Sequence, residues 1–207
     1  PLIRGSLRSR PCDAIIQEAQ RLVTSGIREL NLIAQDLASY GTDVGDGSSQ
    51  IIPLLKALAA IEGDFRIRLL YMHPDAAPIK DLIALVANEK KIIPYFDIPF
   101  QHAHVDILRT MGRKGDKDSY LSLIKHIRTI IPDATIRSTF MVGFVGETEK
   151  TIDVLKEFLV EAQLDWVGTF TYCREEGTPA YNDISPSDYK KSQQKAKKWK
   201  QEIEHIQ

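Results

Sequence analysis

The apolar positions along this chain fall into two alternating textures. In the first they recur at helical spacing, as over Pro11 to Ser25, with Pro11 suited to a first turn and Gly26 to the stop. The same period returns over Gln50 to Ile61, Pro78 to Asn88, Ser119 to Ile131, Thr148 to Ala162 and Ser187 to Ile206. In the second texture, short runs are rich in β-branched and aromatic residues: ELNLIAQD, RIRLLYMH, IIPYFDIPF, TIRSTFMVGF and WVGTFTYC. These runs are apolar on successive residues, which predicts strands covered on both faces.

Helix and strand take turns five times, the pattern of a parallel sheet with helical crossovers. The loops are short and no low-complexity linker interrupts them, so residues 1–207 read as one domain. A helix starting at Pro11 implies a strand ahead of the opening loop, PLIRGSLRSR. Adding it makes six β–α units, whereas five would leave a raw parallel edge. The expected fold is therefore α/β, a partial (β/α)6 TIM-like barrel whose first strand is missing from this chain.

Composition changes this picture little. The 207 residues are 43% hydrophobic and 27% charged, with a net charge of -1, ordinary for a soluble globular protein. Such a balance announces neither nucleic acid nor a membrane, and no apolar run approaches the length of a bilayer span. Cys12 and Cys173 are far apart and have no Cys or His at ligand spacing. They read as two reduced thiols in a cytoplasmic protein.

Chemistry in β/α barrels collects where strands end and loops begin. Those positions hold Gln35 and Asp36, then His73, then Asp97, Gln101, His102 and His104. Arg137 and Thr139 lie within the fourth run, which closes with Gly143-Phe144-Val145-Gly146-Glu147-Thr148. The fifth leads into Tyr172, Cys173, Arg174, Glu175 and Glu176. Singly, Asp36 also reads as a loop cap and His73, before Pro74, as a satisfied loop histidine. The Gly143 turn reads either as a cradle for an anion at a helix start or as a strand-to-helix turn that needs small residues. Arg4, Arg8 and Arg10 read as a solvated basic loop or as anion contacts at the barrel mouth, and the lysine-rich final helix as a solvated face or a contact to RNA or a following domain.

Five segments, "PLIRGSLRSRP", "LIAQDLASYG", "IPYFDIPFQHA", "TFMVGFVGETE" and "EEGTPA", resemble the radical S-adenosylmethionine (SAM) methylthiotransferases along essentially the whole chain. Gln35-Asp36, Asp97 to Pro99 and Gln101-His102-Ala103 side with the branch that modifies a ribosomal protein (RimO). The tRNA-modifying, MiaB-like branch usually shows other residues there. The resemblance implies a radical SAM core domain over 1–207, with the final helix 187–206 leading toward a TRAM domain. It implies SAM and a 4Fe–4S cluster as cofactors, with a second cluster in the full family pattern. The family's Cys-x3-Cys-x2-Cys loop would precede Pro1, so the chain is expected to lack the cluster ligands and to be inert alone; no metal ligand is assigned within it.

In that family the reduced cluster passes an electron to SAM, and the resulting 5′-deoxyadenosyl radical abstracts a hydrogen from the substrate. No general base is required, and none is assigned. The resemblance implies Arg137 and Gln101 as polar contacts to SAM, backbone near Gly143 beside the adenosine, and Gln35 and Asp36 at the methionine amino end. The implied substrate is an aspartate of the twelfth small-subunit ribosomal protein, methylthiolated at its β-carbon. Ribosomal RNA contact through the basic segments is a further implied partner, with no membrane. Two alternatives stand beside this: tRNA modification by the same chemistry, and a metal-dependent β/α-barrel hydrolase using Asp36, His73, His102 and Glu176.

Overall fold

The computed structural model describes residues 5–206, so Arg4 lies outside the described residues. Helices stand where the periodicity predicts them: α1 (Cys12–Thr24), α2 (Ile51–Ala59), α3 (Ile79–Asn88), α5 (Lys117–Ile130), α6 (Glu149–Ala162) and α8 (Pro186–Glu204). Two short helices, α4 (Val105–Thr110) and α7 (Pro179–Asn182), and a 3-10 turn at Leu37–Ser39 are additional. The strands are β1 (Glu29–Leu32), β2 (Arg66–Leu69), β3 (Tyr95–Asp97), β4 (Thr135–Val142) and β5 (Trp166–Thr171). The chain divides into two compact units: residues 1–98 with 127–135, and residues 99–126 with 136–207.

In the first unit β1 and β2 run parallel, with Leu30 opposite Ile67 and Leu32 opposite Leu69. Leu30, Ile67 and Leu69 are buried, as are Leu54, Leu55 and Leu58 of α2 and Leu82 and Ile83 of α3. The other face of the pair is polar: Glu29, Asn31, Arg66 and Arg68 alternate with the core positions. Arg68 bonds Glu29 at 2.8 Å and lies 4.7 Å over the Tyr95 ring. The expected covering of both strand faces is therefore not what forms. The successive apolar residues of the sequence, such as Leu70 to Met72, lie past the strand end in loops, and the strands themselves alternate. Among the described residues β1 pairs with β2 alone, and beside it opens an apolar cavity of about 550 Å³, lined by Ile15, Ala19 and Leu22 of α1 and Leu54 and Leu58 of α2.

In the second unit β4 and β5 run parallel, pairing Arg137 with Trp166 through Val142 with Thr171. Ile136, Ser138, Phe140 and Val142 are fully buried on one face. Phe158 of α6 meets Phe100 and Phe140 edge-on at 5.6 and 6.0 Å, and Tyr120 of α5 lies 4.6 Å from Phe100. Each such pair adds about 0.5–1.5 kcal/mol beyond its buried area. The opposite face carries Arg137, Thr139 and Met141 beside Trp166, Gly168 and Phe170. Trp166 is 64% and Phe170 57% exposed, so this face is open along β5, while Thr139 of β4 is buried.

The strand-to-helix turn after β4 ends in a capping box, in which Thr148 and Thr151 satisfy each other's backbone N–H. Helix α8 packs on β5 with a stripe of Ala196, Trp199 and Ile203, all buried. Trp199 Nε1 donates to Glu149 at 3.0 Å, and Gln193 Nε2 to the Tyr172 carbonyl at 2.7 Å. The lysine-rich helix is thus docked by its apolar stripe, with its charges outward.

Candidate functional site

In the first unit the strand ends are knitted by two carboxylates. Asp36 caps the 3-10 turn, accepting from the Ala38 N–H at 3.1 Å and from the Ser39 hydroxyl, and receives the His73 N–H at 3.4 Å. Buried Asp97 accepts the Tyr71 N–H at 3.2 Å, and its carbonyl takes the Met72 N–H at 2.9 Å. Tyr71 needs that support because it holds φ 61°, unusual for a residue with a side chain. Leu37 N–H closes the lattice on the Tyr71 carbonyl at 3.1 Å. Asp36 is accordingly the loop cap that the sequence allowed, and its carboxylate acts first on its own backbone. Gln35 is exposed beside it. His73 Nδ1 accepts the Asp75 N–H at 3.3 Å, as a satisfied loop histidine does.

In the second unit the corresponding loop is pinned to β4. Gln101 stands at φ 70°, its N–H on the Thr139 carbonyl at 2.9 Å and its carbonyl on the Met141 N–H at 2.8 Å. That places Gln101 against the strand whose open face carries Arg137, Thr139 and Met141. A left-handed glutamine at a strand end is strain of the kind that collects at functional positions.

Gly143 ends β4 at φ 84°. Its N–H donates to Glu147 at 2.7 Å, and its carbonyl accepts from Ser192 of α8 at 2.9 Å. On the side where a Cβ would stand lies Ala196, with only 2.6 Å between the two carbons. Glycine is required here by the close approach of α8 as well as by the backbone angle. The backbone polar groups of this turn are therefore engaged within the chain.

Beneath the turn are two buried titratable side chains. His102 Nε2 faces Glu147 Oε1 at 3.9 Å, with the side chains 0% and 1% exposed. Burial depresses the His102 imidazole to about 3, aided by the charge of His104. Burial pushes Glu147 up to about 7, against the pull of the Gly143 and Phe144 N–H groups. The sequence named both residues but gave no sign that they meet, because the contact depends on the register between two loops far apart in the chain.

The remaining strand-end residues have local duties. Arg174 stacks 3.7 Å from the Tyr181 ring and donates to the carbonyls of Tyr181 and Ile184. Glu176 is exposed and takes the Tyr181 hydroxyl at 3.3 Å. Among the described residues no three His, Cys, Asp or Glu side chains are grouped as a metal ion needs. No described helix is long and apolar enough to cross a membrane.

Comparison with known proteins gives this arrangement a context. Residues 2–159 match the family model of the radical SAM superfamily. The chain is 47% identical over 182 residues to the ribosomal protein uS12 methylthiotransferase RimO of Thermodesulfovibrio yellowstonii, covering 88% of this chain and 42% of that protein. It is 46% identical to the RimO of Dictyoglomus thermophilum, covering 88% and 41%. The chain thus spans about two fifths of the length of the curated relatives it matches. Among solved structures, coproporphyrinogen III oxidase (HemN) from Escherichia coli, a radical SAM enzyme, superposes with a TM-score of 0.62 at 15% identity, covering 93% of this chain and 46% of that one. SuiB of Streptococcus suis bound to S-adenosylmethionine gives 0.54 at 14% identity, covering 97% and 41%.

Proposed function

The chain belongs to the radical SAM superfamily, and from that premise we propose that it is the core of a methylthiotransferase acting on an aspartate of ribosomal protein uS12. The observation that carries this reading is identity of 41–47% to uS12 methylthiotransferases across nearly nine tenths of the chain. The RimO-type residues at Gln35-Asp36, Asp97 to Pro99 and Gln101 to Ala103 point the same way, away from the tRNA-modifying branch.

Members of this superfamily use SAM and a 4Fe–4S cluster. The chain's two cysteines, Cys12 in α1 and Cys173 after β5, do not make the three-thiolate set such a cluster takes. The residues present therefore do not themselves hold a cluster. They do suit SAM, whose charged amino-acid end, ribose and adenine ask for an open face with a few placed polar groups. When bound, one SAM would supply the deoxyadenosyl group that abstracts hydrogen, and a second would supply the methyl group.

Within the second unit, Arg137 is the residue proposed to hold the SAM carboxylate by charge-assisted hydrogen bonds. Gln101, fixed by its strained backbone, offers a side-chain amide from the end of the neighbouring loop. Exposed Phe170 and half-buried Met141 on the same face supply an apolar surface that excludes water from a bound adenosine. Within the first unit, Asp36 holds the loop that carries Gln35. For Gly143 the proposed part is indirect: it lets β4 turn and α8 close over the turn. A ribosomal partner implies a cytoplasmic setting, and the exposed lysines Lys190, Lys195 and Lys197 of α8 are proposed to meet ribosomal RNA. Lys191, Lys198 and Lys200 already pair with acids of their own helix.

The test uses a protein that carries this chain together with a cluster-binding cysteine triad. Incubated with SAM, a reductant and uS12, it is expected to add the mass of one methylthio group to a uS12 aspartate. Modification of tRNA with uS12 untouched would overturn the substrate, and failure to form 5′-deoxyadenosine with either would overturn the chemistry.

A further inference from the structure

The loop after β3 and the turn after β4 meet through two side chains to which the reading above gives no part in binding SAM. His102 sits on the first and Glu147 on the second, and both side chains are sealed from solvent. His102 Nδ1 accepts the His104 N–H at 2.9 Å. In the neutral ring the proton must then stand on Nε2. That nitrogen faces Glu147 Oε1 at 3.9 Å, and among the described residues neither atom has a hydrogen-bond partner. The other carboxyl oxygen takes the Gly143 N–H at 2.7 Å. An ion pair in so dry a place would strip two charges of water, a penalty of several kcal/mol for each ion. At 3.9 Å, without a direct hydrogen bond, the geometry does not offset that penalty.

We propose that His102 and Glu147 form an uncharged buried latch, imidazole Nε2–H facing a protonated carboxyl, that keeps the loop carrying Gln101 packed against the turn after β4 as long as neither group ionises. The latch stands on the burial and approach of the two side chains together with the direction in which burial moves each of them; its consequence for Gln101 rests on the SAM reading above. Gln101 immediately precedes His102 and is pinned to β4 by its backbone, so the latch acts on the residue next to it. His102 and Glu147 are then positioning residues.

Among the described residues, the neighbouring charged groups are engaged elsewhere. His104, whose charge opposes that of His102, is followed by Asp106 at 4.0 Å. Arg113 reaches back to the Pro99 carbonyl at 3.0 Å. Glu149 is held by the Trp199 indole, and Tyr172 is a neutral phenol packed against Phe144. What α8 presents to the turn is Ser192, Gln193 and Ala196, none of them titratable.

The proton balance makes the latch measurable. Ordinary values are 6.5 for the imidazole and 4.5 for the carboxyl, against about 3 and about 7 in the fold. Between pH 4.5 and 6.5 the unfolded pair carries one proton, on the histidine, and the folded pair carries one, on the glutamate. Folding moves the proton without net uptake, so this pair gives stability no slope in that window. Each single substitution unmasks one partner. With Glu147→Gln, the depressed imidazole remains, and the unfolding constant should rise roughly tenfold per unit of falling pH relative to wild type. With His102→Gln, the raised carboxyl remains, and the constant should fall roughly tenfold per unit over the same range. The double variant should again run parallel to wild type.

The experiment is denaturant unfolding of the four proteins across this window, with long-range nitrogen NMR of the wild-type histidines as a measurement that needs no variant. The latch predicts slopes of opposite sign and a His102 ring that stays neutral, protonated on Nε2, down to pH 4.5. Single variants that run parallel to wild type, or a His102 ring that titrates near 6.5, would overturn it. The same substitution separates the latch from its consequence. In the protein with a cluster-binding triad, wild-type SAM affinity should weaken as pH rises through about 7, and Glu147→Gln should remove that step. Opposite slopes without the affinity step would refute the positioning of Gln101. A Gln101→Ala variant of unchanged affinity would instead refute the SAM reading itself.

Discussion

A single carboxylate, Asp97, supports the strained end of β2 by accepting the N–H of Tyr71. Asp97→Ala leaves that donor and the left-handed backbone unsupported, and should cost about 1–3 kcal/mol of stability in urea unfolding. Asp97→Asn, which keeps an acceptor, should cost distinctly less. Gly143→Ala faces both φ 84° and a clash with Ala196, and should destabilise by about 1–3 kcal/mol. At this scale the sequence was informative about which residues matter and poor about what they touch. Asp36 before Leu37 is legible as a cap because capping is local. The left-handed Tyr71 and Gln101 are illegible, since neither residue type favours that backbone and only tertiary hydrogen bonds impose it. The pairing of His102 with Glu147 is illegible for the same reason.

Elements were more legible than residues. Six helices begin and end within a few residues of their expected bounds, because periodicity, Pro11 and Pro186 near two starts and Thr148 at a third are local signals. The strands came out shorter than their apolar runs, because burial of loop residues such as Met72 looks like strand burial in a sequence. Helices α4 and α7 have four to six residues and too little pattern to read. The capping box of α6 predicts that Thr148→Ala costs about 1 kcal/mol in thermal or denaturant unfolding. The docking of α8 has an optical consequence. Trp199 is buried and Trp166 exposed, so Trp166→Phe should leave an emission that is blue-shifted and poorly quenched by acrylamide. Trp199→Phe should leave a red-shifted, readily quenched one. Equal quenching in the two variants would mean that α8 is not packed down by its apolar stripe.

For the molecule as a whole, each unit buries one face of its parallel strands under helices and leaves the other face polar or open. The βαβ alternation made the α/β class legible, while the branch of the family was carried by motifs, whose meaning lies in chemistry and not in packing. The central claim is that the open face of β4 and β5 receives SAM through Arg137. Its most direct test is the SAM dissociation constant of wild type and Arg137→Ala, in a protein that carries this chain with a cluster-binding triad. Loss of a charge-assisted contact should weaken binding by roughly 10- to 100-fold. An unchanged constant in a variant that folds as wild type does would contradict the account and place SAM elsewhere.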